Sequence, residues 1–462
     1  MKKIKVVVIG AGSAGFGQGA IADLVASEPL KELDLEIALV DIDQKALDRM
    51  HKLSFMIRDY YKSKAKISAT TDRKEAFPGA NYIIASVAQK RWDMWEKDFY
   101  IPLAYGFRQV FGENGGPGAA FHTLRSLNIM IPIAKDMEKL CPDALLLNFS
   151  NPESRVCLGV SKLTGIKVAG LCHGPIETLD RIGEILEKPV EEIELIVGGL
   201  NHFHWALKII DKKTGKDLYP EIDKKIDKFD WQADSLTPVL YKLFGLITYP
   251  APSHPGEYLN FAHDIAGPKL IDWGIGPVSH KLSATGHDLD YIIEGKFKRP
   301  SYELWSQDQA DRIEKAINGE ISLTDREPML NLSLTDISRE LAVPIICDIE
   351  FNLNRKELAA NVCNTGFAVS NLPEDAIVEV PIIVNSNGIE PEKVGALPEP
   401  IAGLCQLQIS IQKLLVEAYE KKSKKILFQA LIIDPIIDNL KRAREMMETM
   451  LKVEKDYLPE LK

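Results

Sequence analysis

Lys5-Val6-Val7-Val8-Ile9-Gly10-Ala11-Gly12-Ser13-Ala14-Gly15-Phe16 decides the fold of this chain. The β-branched run Val6–Ile9 reads as a strand buried on both faces. It breaks into Gly-x-Gly-x-x-Gly, and helix-compatible residues follow. In that context the pattern reads as a dinucleotide-binding turn. Gly10 permits the tight turn, Gly12 lets a pyrophosphate approach the backbone, and Gly15 lets helix and strand pack closely. The helix N-terminus then offers N–H groups and a positive dipole end to the phosphates. Ser13 and Phe16 lie on this turn. Val87 and Asn148, at the ends of later strands, are candidate contacts of the same cofactor. Asp41 closes the next apolar run and would accept the ribose hydroxyls while repelling a 2′-phosphate, which favours NAD over NADP. Its spacing from Gly10 is 41 − 10 = 31 residues, against about 20 in the usual pattern. That predicts an extended loop between them. The bland alternative is a Gly-rich turn that binds no nucleotide.

Outward from this turn, strand and helix signals alternate. Residues 36–41, 82–87, 144–148 and 168–171 read as further short buried strands. Residues 45–61 and 124–140 read as helices, the second with Leu124, Leu127, Ile131, Ala134 and Met137 on one face and Pro132 as a kink or a shifted start. Such alternation predicts an α/β fold, a Rossmann-type doubly wound parallel sheet, over residues 1–195. After about Gly198 the texture changes. Residues 211–217 read as a hairpin or exposed loop. Helical periods return at 404–420 and 436–457, the latter starting behind Pro435. Residues 196–462 are therefore expected to form a second, α+β domain.

Composition narrows the function. The 462 residues carry 66 acidic and 56 basic side chains, a net charge of -10, the wrong sign for a nucleic-acid or anionic-membrane binder. No apolar run approaches the roughly 18 residues of a membrane span. Met1-Lys2-Lys3 precedes an apolar run with no small-residue cleavage site, so it reads as a first strand and the protein as cytoplasmic. The six cysteines are scattered without a CxxC, which argues against a disulfide framework.

A second constellation lies at strand ends, where open α/β sheets bind ligands. Asn148-Phe149-Ser150-Asn151-Pro152-Glu153 follows one predicted strand and Cys172-His173-Gly174-Pro175 the next; Asn201-His202-Phe203-His204 comes later. A thiolate and an imidazole, Cys172 and His202, could share a divalent cation, leaving most of its coordination to substrate oxygens and water. Alternatively they are a buried filler and a satisfied histidine.

Taken together, these segments resemble glycoside hydrolase family 4, the NAD- and metal-dependent glycosidases. The resemblance is carried by Gly10 to Ser13, Tyr105-Gly106-Phe107, Gly115 to Gly118, Asn148 to Pro152, Cys172 to Gly174, Gly199 to His202, Asn361 to Pro373 and Val378 to Pro381. It implies an NAD-binding Rossmann domain similar to lactate and malate dehydrogenases joined to a substrate and oligomerisation domain, Cys172 and His202 as ligands of Mn²⁺ or another divalent metal, Asn151 as a substrate-binding residue, and a homodimer or homotetramer. It also implies a chemistry outside the two-carboxylate rule of most glycosidases. The steps would be oxidation at C3 by NAD⁺, metal-assisted removal of the C2 proton, loss of the aglycone, addition of water and re-reduction. Cys172-His173-Gly174 resembles the members acting on α-galacturonides or α-glucuronides; Cys-His-Ser marks neutral α-glucosides and α-galactosides. The expected substrate is thus a uronic acid glycoside or short oligosaccharide. The alternatives are a neutral α-hexoside, or a dehydrogenase of 2-hydroxy acids.

His173 is either the proton donor to the leaving oxygen or a support for Cys172. Tyr249 is the expected C2 base, or else a packed aromatic. His254 is the expected second substrate contact. The stretch Thr248–Tyr258 lacks the family's Asp and Arg but keeps His254 and Glu257. Lys90, Arg91, Arg125 and His122 are candidate partners for a uronate carboxylate.

Overall fold

Residues 2–232, 234–270 and 301–462 are described by a computed structural model of the chain. The opening run forms β1 (Lys3–Ile9), and its side chains divide between two cores. Ile4, Val6 and Val8 pack with Ile21 and Leu24 of α1 (Phe16–Ala26) and, across β2 (Asp34–Val40), with Met50 and Leu53 of α3 (Gln44–Tyr60). Val7 and Ile9 point the other way, toward Leu127, Met130 and Ala134 of α6 (Gly116–Leu140) and Val156 of α7 (Glu153–Leu163). The period of two puts alternate residues on opposite faces, so a strand apolar at nearly every position must be covered twice.

The remaining parallel strands are β3 (Lys66–Thr70), β4 (Tyr82–Ala85), β5 (Leu145–Asn148) and β6 (Val168–Gly170). The short α4 (Arg73–Ala76) links β3 to β4, and α5 (Arg91–Ala104) follows β4. The strand order, β3-β2-β1-β4-β5-β6, is that of a dinucleotide-binding sheet, reversing between β1 and β4. The sheet continues beyond residue 195. It runs on from β6 through β9 (Arg355–Cys363), β10 (Ile377–Asn385), β7 (Ile193–Leu200) and β8 (Phe203–Asp211), all antiparallel, with β11 (Gly388–Pro391) on β10. The change of texture after Gly198 thus marks a change of strand direction within one sheet. The expected division at 195/196 falls inside β7.

Four local expectations are corrected. The long interval before Asp41 is not a loop, because α1 is followed by a short capped helix, α2 (Glu28–Lys31). β3 lies outside the expected strands; it is a half-exposed edge strand of mixed polarity. Helix α6 begins at Gly116 rather than Leu124 and runs through Pro132. The last helix starts at Leu440, with Asn439 capping the Arg442 amide, and Pro435 stays outside it. The 211–217 segment is a turn, with Asp211 accepting from Thr214.

Candidate active site

The glycine turn sits at the reversal of strand order. Gly10 has φ +84°, and a Cβ there would lie 2.0 Å from the Ser86 carbonyl oxygen. Only glycine brings the ends of β1 and β4 this close. The Gly12 N–H donates to Asp41 Oδ2 at 2.8 Å, and the Asp43 N–H to Asp41 Oδ1 at 2.9 Å. Both carboxylate oxygens keep lone pairs for further donors. Ile42 beside it is 92% exposed, an apolar platform next to the carboxylate. Ser13 Oγ accepts the Phe16 N–H, and the Phe16 ring packs on Phe149 at 4.7 Å. Gly15 meets the Trp305 ring. The Val87 N–H is held by Ser150 Oγ, and the Asn148 side chain is turned onto the Ser150 backbone. These residues fit a dinucleotide: a glycine cradle that no Cβ may fill, a carboxylate at the next strand's end, and an apolar surface beside it.

The second site is built by strand register. Gly170 of β6 pairs with Asn361 of β9, Asn361 with Glu379 of β10, Glu379 with Gly199 of β7, and Gly199 with His204 of β8. One row therefore crosses five strands. Cys172 follows the row's first member by two residues, and His202 follows Gly199 by three. Side chains fasten the row. Glu379 Oε2 accepts from His204 Nδ1 at 2.7 Å, and Asn361 Nδ2 bridges Glu379 Oε1 (3.0 Å) and Glu153 Oε1 (2.5 Å). His204 Nε2 meets Thr178 Oγ1 at 2.9 Å on α8 (Gly174–Leu186). Glu153, His204, Asn361 and Glu379 are all buried. β10 holds its pairing past Pro381 by a register shift there.

Above the row, Cys172 accepts the Gly174 N–H at 3.3 Å. Gly174 lies against Tyr249, where a Cβ would come within 2.9 Å of the ring. The Tyr249 ring stacks on His204 (5.6 Å) and approaches His254 (4.5 Å) and His202 (5.8 Å); His202 and His254 are 4.1 Å apart. His202, His204 and His254 thus surround the Tyr249 ring, Cys172 lies near enough to act on its hydroxyl, and Glu177 links that hydroxyl to His173. Asn151 stands at the entrance of α7, its carbonyl accepting from Ser126.

Electrostatics separate their roles. Burial, then nearby Glu379 and Glu153, pushes the Cys172 thiol well up, so it needs a cation to ionise. Burial pushes His202 well below the ordinary imidazole range and His254 down to about 3, keeping both neutral. Burial raises Tyr249, whose hydroxyl is hydrogen-bonded to Glu177. His173 is exposed and contacts Glu177 (3.3 Å) and Glu340 (3.5 Å), which push it up to about 10. It is a cation at neutral pH, and its partners are these carboxylates rather than Cys172. Among the described residues, no three His, Cys, Asp or Glu side chains form a cluster that could hold a metal. A thiol and an imidazole that leave the rest of the sphere to substrate oxygens fit a divalent cation of intermediate softness.

Of the expected carboxylate partners, Arg125 is withdrawn. It is buried in ion pairs with Asp98 and Glu454. His122 is neutral by burial, and Arg91 is paired to Glu113 at 3.2 Å. Sequence reading quoted Glu153, Asn361 and Glu379 inside its motifs without giving them a role, and missed Glu177, Glu340 and Arg155. Arg155 is fully buried, donates to Thr123, and offsets the charge of nearby Asp434 and Glu257. Glu379, an isolated acid in the apolar run Ile377–Val380, carried the one signal that could have found it.

The sequence profile described as "Family 4 glycosyl hydrolase" matches residues 5–188, and that of its C-terminal domain matches 197–437. The alpha-glucosidase of Erwinia rhapontici is 31% identical over 469 residues, covering 99% of each chain. The alpha-galactosidase of Bacillus subtilis is 30% identical, covering 99% of this chain and all of the relative. A solved 6-phospho-alpha-glucosidase from gut microorganisms, in complex with NAD and Mn²⁺, superposes with a TM-score of 0.79 at 24% identity over the full length of both chains. At that identity the likeness speaks for the fold alone.

Proposed function

Because the chain belongs to glycosyl hydrolase family 4, we propose that this glycosidase cleaves α-glycosides of neutral hexoses with NAD⁺ and a divalent metal, Mn²⁺ first. The reading is supported by a thiol, imidazole and phenol group, Cys172, His202 and Tyr249, built on the same continuous sheet as the dinucleotide turn, with His173 joined to Tyr249 through Glu177. The neutral sugar is supported by the α-glucosidase and α-galactosidase relatives. It is also supported by Glu177 and Glu340, which flank the cationic His173 and would repel a uronate or phosphate. The uronide reading keeps two supports, the Cys172-His173-Gly174 sequence and the charge on His173.

When bound, NAD⁺ would supply a reversible hydride acceptor and the metal a Lewis acid that acidifies the carbon next to a carbonyl. Cys172 and His202 would hold the metal, and Asn151 and His254 would orient the sugar. Asp41 would hold the adenosine ribose beside Gly10, Gly12, Ser13 and Gly15. Tyr249 would take the C2 proton, its hydroxyl aligned by Glu177. His173 would protonate the leaving oxygen and stays charged at neutral pH. A cytoplasmic setting is supported by six free thiols. A homo-oligomer is supported by the exposed Met329, Leu330, Leu332 and Ile337.

The test is a panel of aryl α-glucoside, α-galactoside, α-glucuronide, α-galacturonide and their 6-phosphate analogues, with NAD⁺ and Mn²⁺. A neutral hexoside should have the highest kcat/KM. A uronide as best substrate would replace the neutral reading, and a 6-phosphate as best substrate would refute both.

A further inference from the structure

His202 sits in the two-residue turn between β7 and β8 with φ +61°, an uncommon conformation that fixes where its ring points. Its Nδ1 faces inward. Asn114 Nδ2 is 3.0 Å away and Glu257 Oε2 is 3.9 Å away. Glu257 is fully buried. Its Oε1 accepts the backbone N–H groups of Glu113 (2.5 Å) and Asn114 (2.9 Å), pinning the turn before α6. Its Oε2 has no hydrogen-bond partner among the described residues. Pinning the turn occupies one oxygen; the other is left aimed at the imidazole.

A histidine that ligates a metal through one ring nitrogen must dispose of the proton on the other, usually to a carboxylate or carbonyl. Asn114 Nδ2 carries only donors, so its 3.0 Å hydrogen bond to Nδ1 belongs to the tautomer without that proton; once Nδ1 is protonated this amide must turn aside, and Asn114 Oδ1 already accepts the Glu153 N–H at 3.2 Å. Glu257 Oε2 is the acceptor within reach; a closure of about 1 Å makes the hydrogen bond.

On the proposed reading that His202 is a metal ligand, we infer that Glu257 is its positioning residue. Oε2 receives the Nδ1–H and turns Nε2, with its lone pair free, toward the cation. The same carboxylate ties the turn at 113–115 to the His202 hairpin, so metal binding and the start of α6 share one anchor.

Glu257→Gln is the discriminating variant. Its carbonyl oxygen can keep the two backbone N–H bonds, while its amide faces His202 with donors only. Mn²⁺ affinity of the full-length protein, read from the EPR signal of free Mn²⁺, should fall about 10- to 100-fold. NAD⁺ affinity and the metal-free melting temperature should stay at wild-type values. Cys172→Ser, measured alongside, should also lose Mn²⁺. If Cys172→Ser binds Mn²⁺ like wild type, the metal reading itself fails. If Cys172→Ser loses it and Glu257→Gln stays within twofold of wild type, only the present inference fails. Should Glu257→Gln not fold, ¹⁵N-histidine spectra of the unmodified protein with Zn²⁺ decide. A His202 with protonated Nδ1 and metal-bound Nε2 is expected; a metal-bound Nδ1 overturns the inference.

Discussion

Glu379→Ala is the perturbation whose magnitude the structure fixes best. Glu379 is wholly buried and receives His204 Nδ1 at 2.7 Å, Asn361 Nδ2 at 3.0 Å and Asn201 Nδ2 at 3.5 Å. Asn361 keeps Glu153 when the carboxylate is removed, and the 3.5 Å contact of Asn201 is long. The loss therefore falls on His204, whose Nδ1 has no other acceptor among the described residues. One buried orphan costs about 1–3 kcal/mol. Together with the void left by the side chain, about 2–4 kcal/mol is expected. Glu379→Gln fills the same space, accepts from Asn361 and donates to His204 in its other tautomer, so it should cost no more than about 1.5 kcal/mol. Urea unfolding of the metal-free protein, followed by tryptophan fluorescence, compares the first transition of the three proteins. A Glu379→Ala loss under about 1 kcal/mol, or a Gln variant as damaged as the Ala variant, would refute the cross-strand row as the platform of the site.

Gly10→Ala sets a Cβ 2.0 Å from the Ser86 oxygen at φ +84°. Its NAD⁺ dissociation constant should rise at least about tenfold by calorimetry, and wild-type affinity would show that the turn does not cradle the cofactor. His254 is held down to about 3 by burial, so the unfolded chain alone takes up its proton below about pH 6.5. Stability therefore falls with acidification, and metal-free wild type should lose up to about 1.4 kcal/mol per pH unit more than His254→Asn between about pH 6 and 4. Parallel curves in denaturation across that range would contradict a buried neutral imidazole. Glu177 and then Glu340 raise His173 to about 10; Glu340→Gln should move the alkaline limb of the pH–rate profile down by about one unit. An unmoved limb would remove His173 from the proton-donor role.

The parallel half of the fold was legible because its strands are short apolar runs closed by glycine or polar turns; β1, β2, β4, β5 and β6 begin and end within two residues of their expected limits. The start of α6 was hidden because Gly115 and Gly118 look like a loop. Both are packing residues: a Cβ at either would stand 2.6 Å from the Glu257 carbonyl oxygen or 2.1 Å from that of Asp98. The antiparallel extension could not be read, since pairing of β6 with β9 joins residues almost two hundred positions apart and no local pattern encodes it. The same holds for the site. Cys172 and His202 carried a signal in their residue types, whereas Asn361 and Glu379 acquire meaning only when register sets them between those two loops. Arg125 misled for the opposite reason: its partners Asp98 and Glu454 lie far off in sequence, so an arginine expected to meet substrate is already neutralised.

The most direct test of the account is turnover of the best aryl α-glycoside in D₂O with NAD⁺ and Mn²⁺. One deuterium should appear at C2 of the released sugar, with activity dependent on both additions and no net accumulation of NADH. Full activity without NAD⁺, a sugar free of deuterium at C2, or NADH formed in step with product would contradict it.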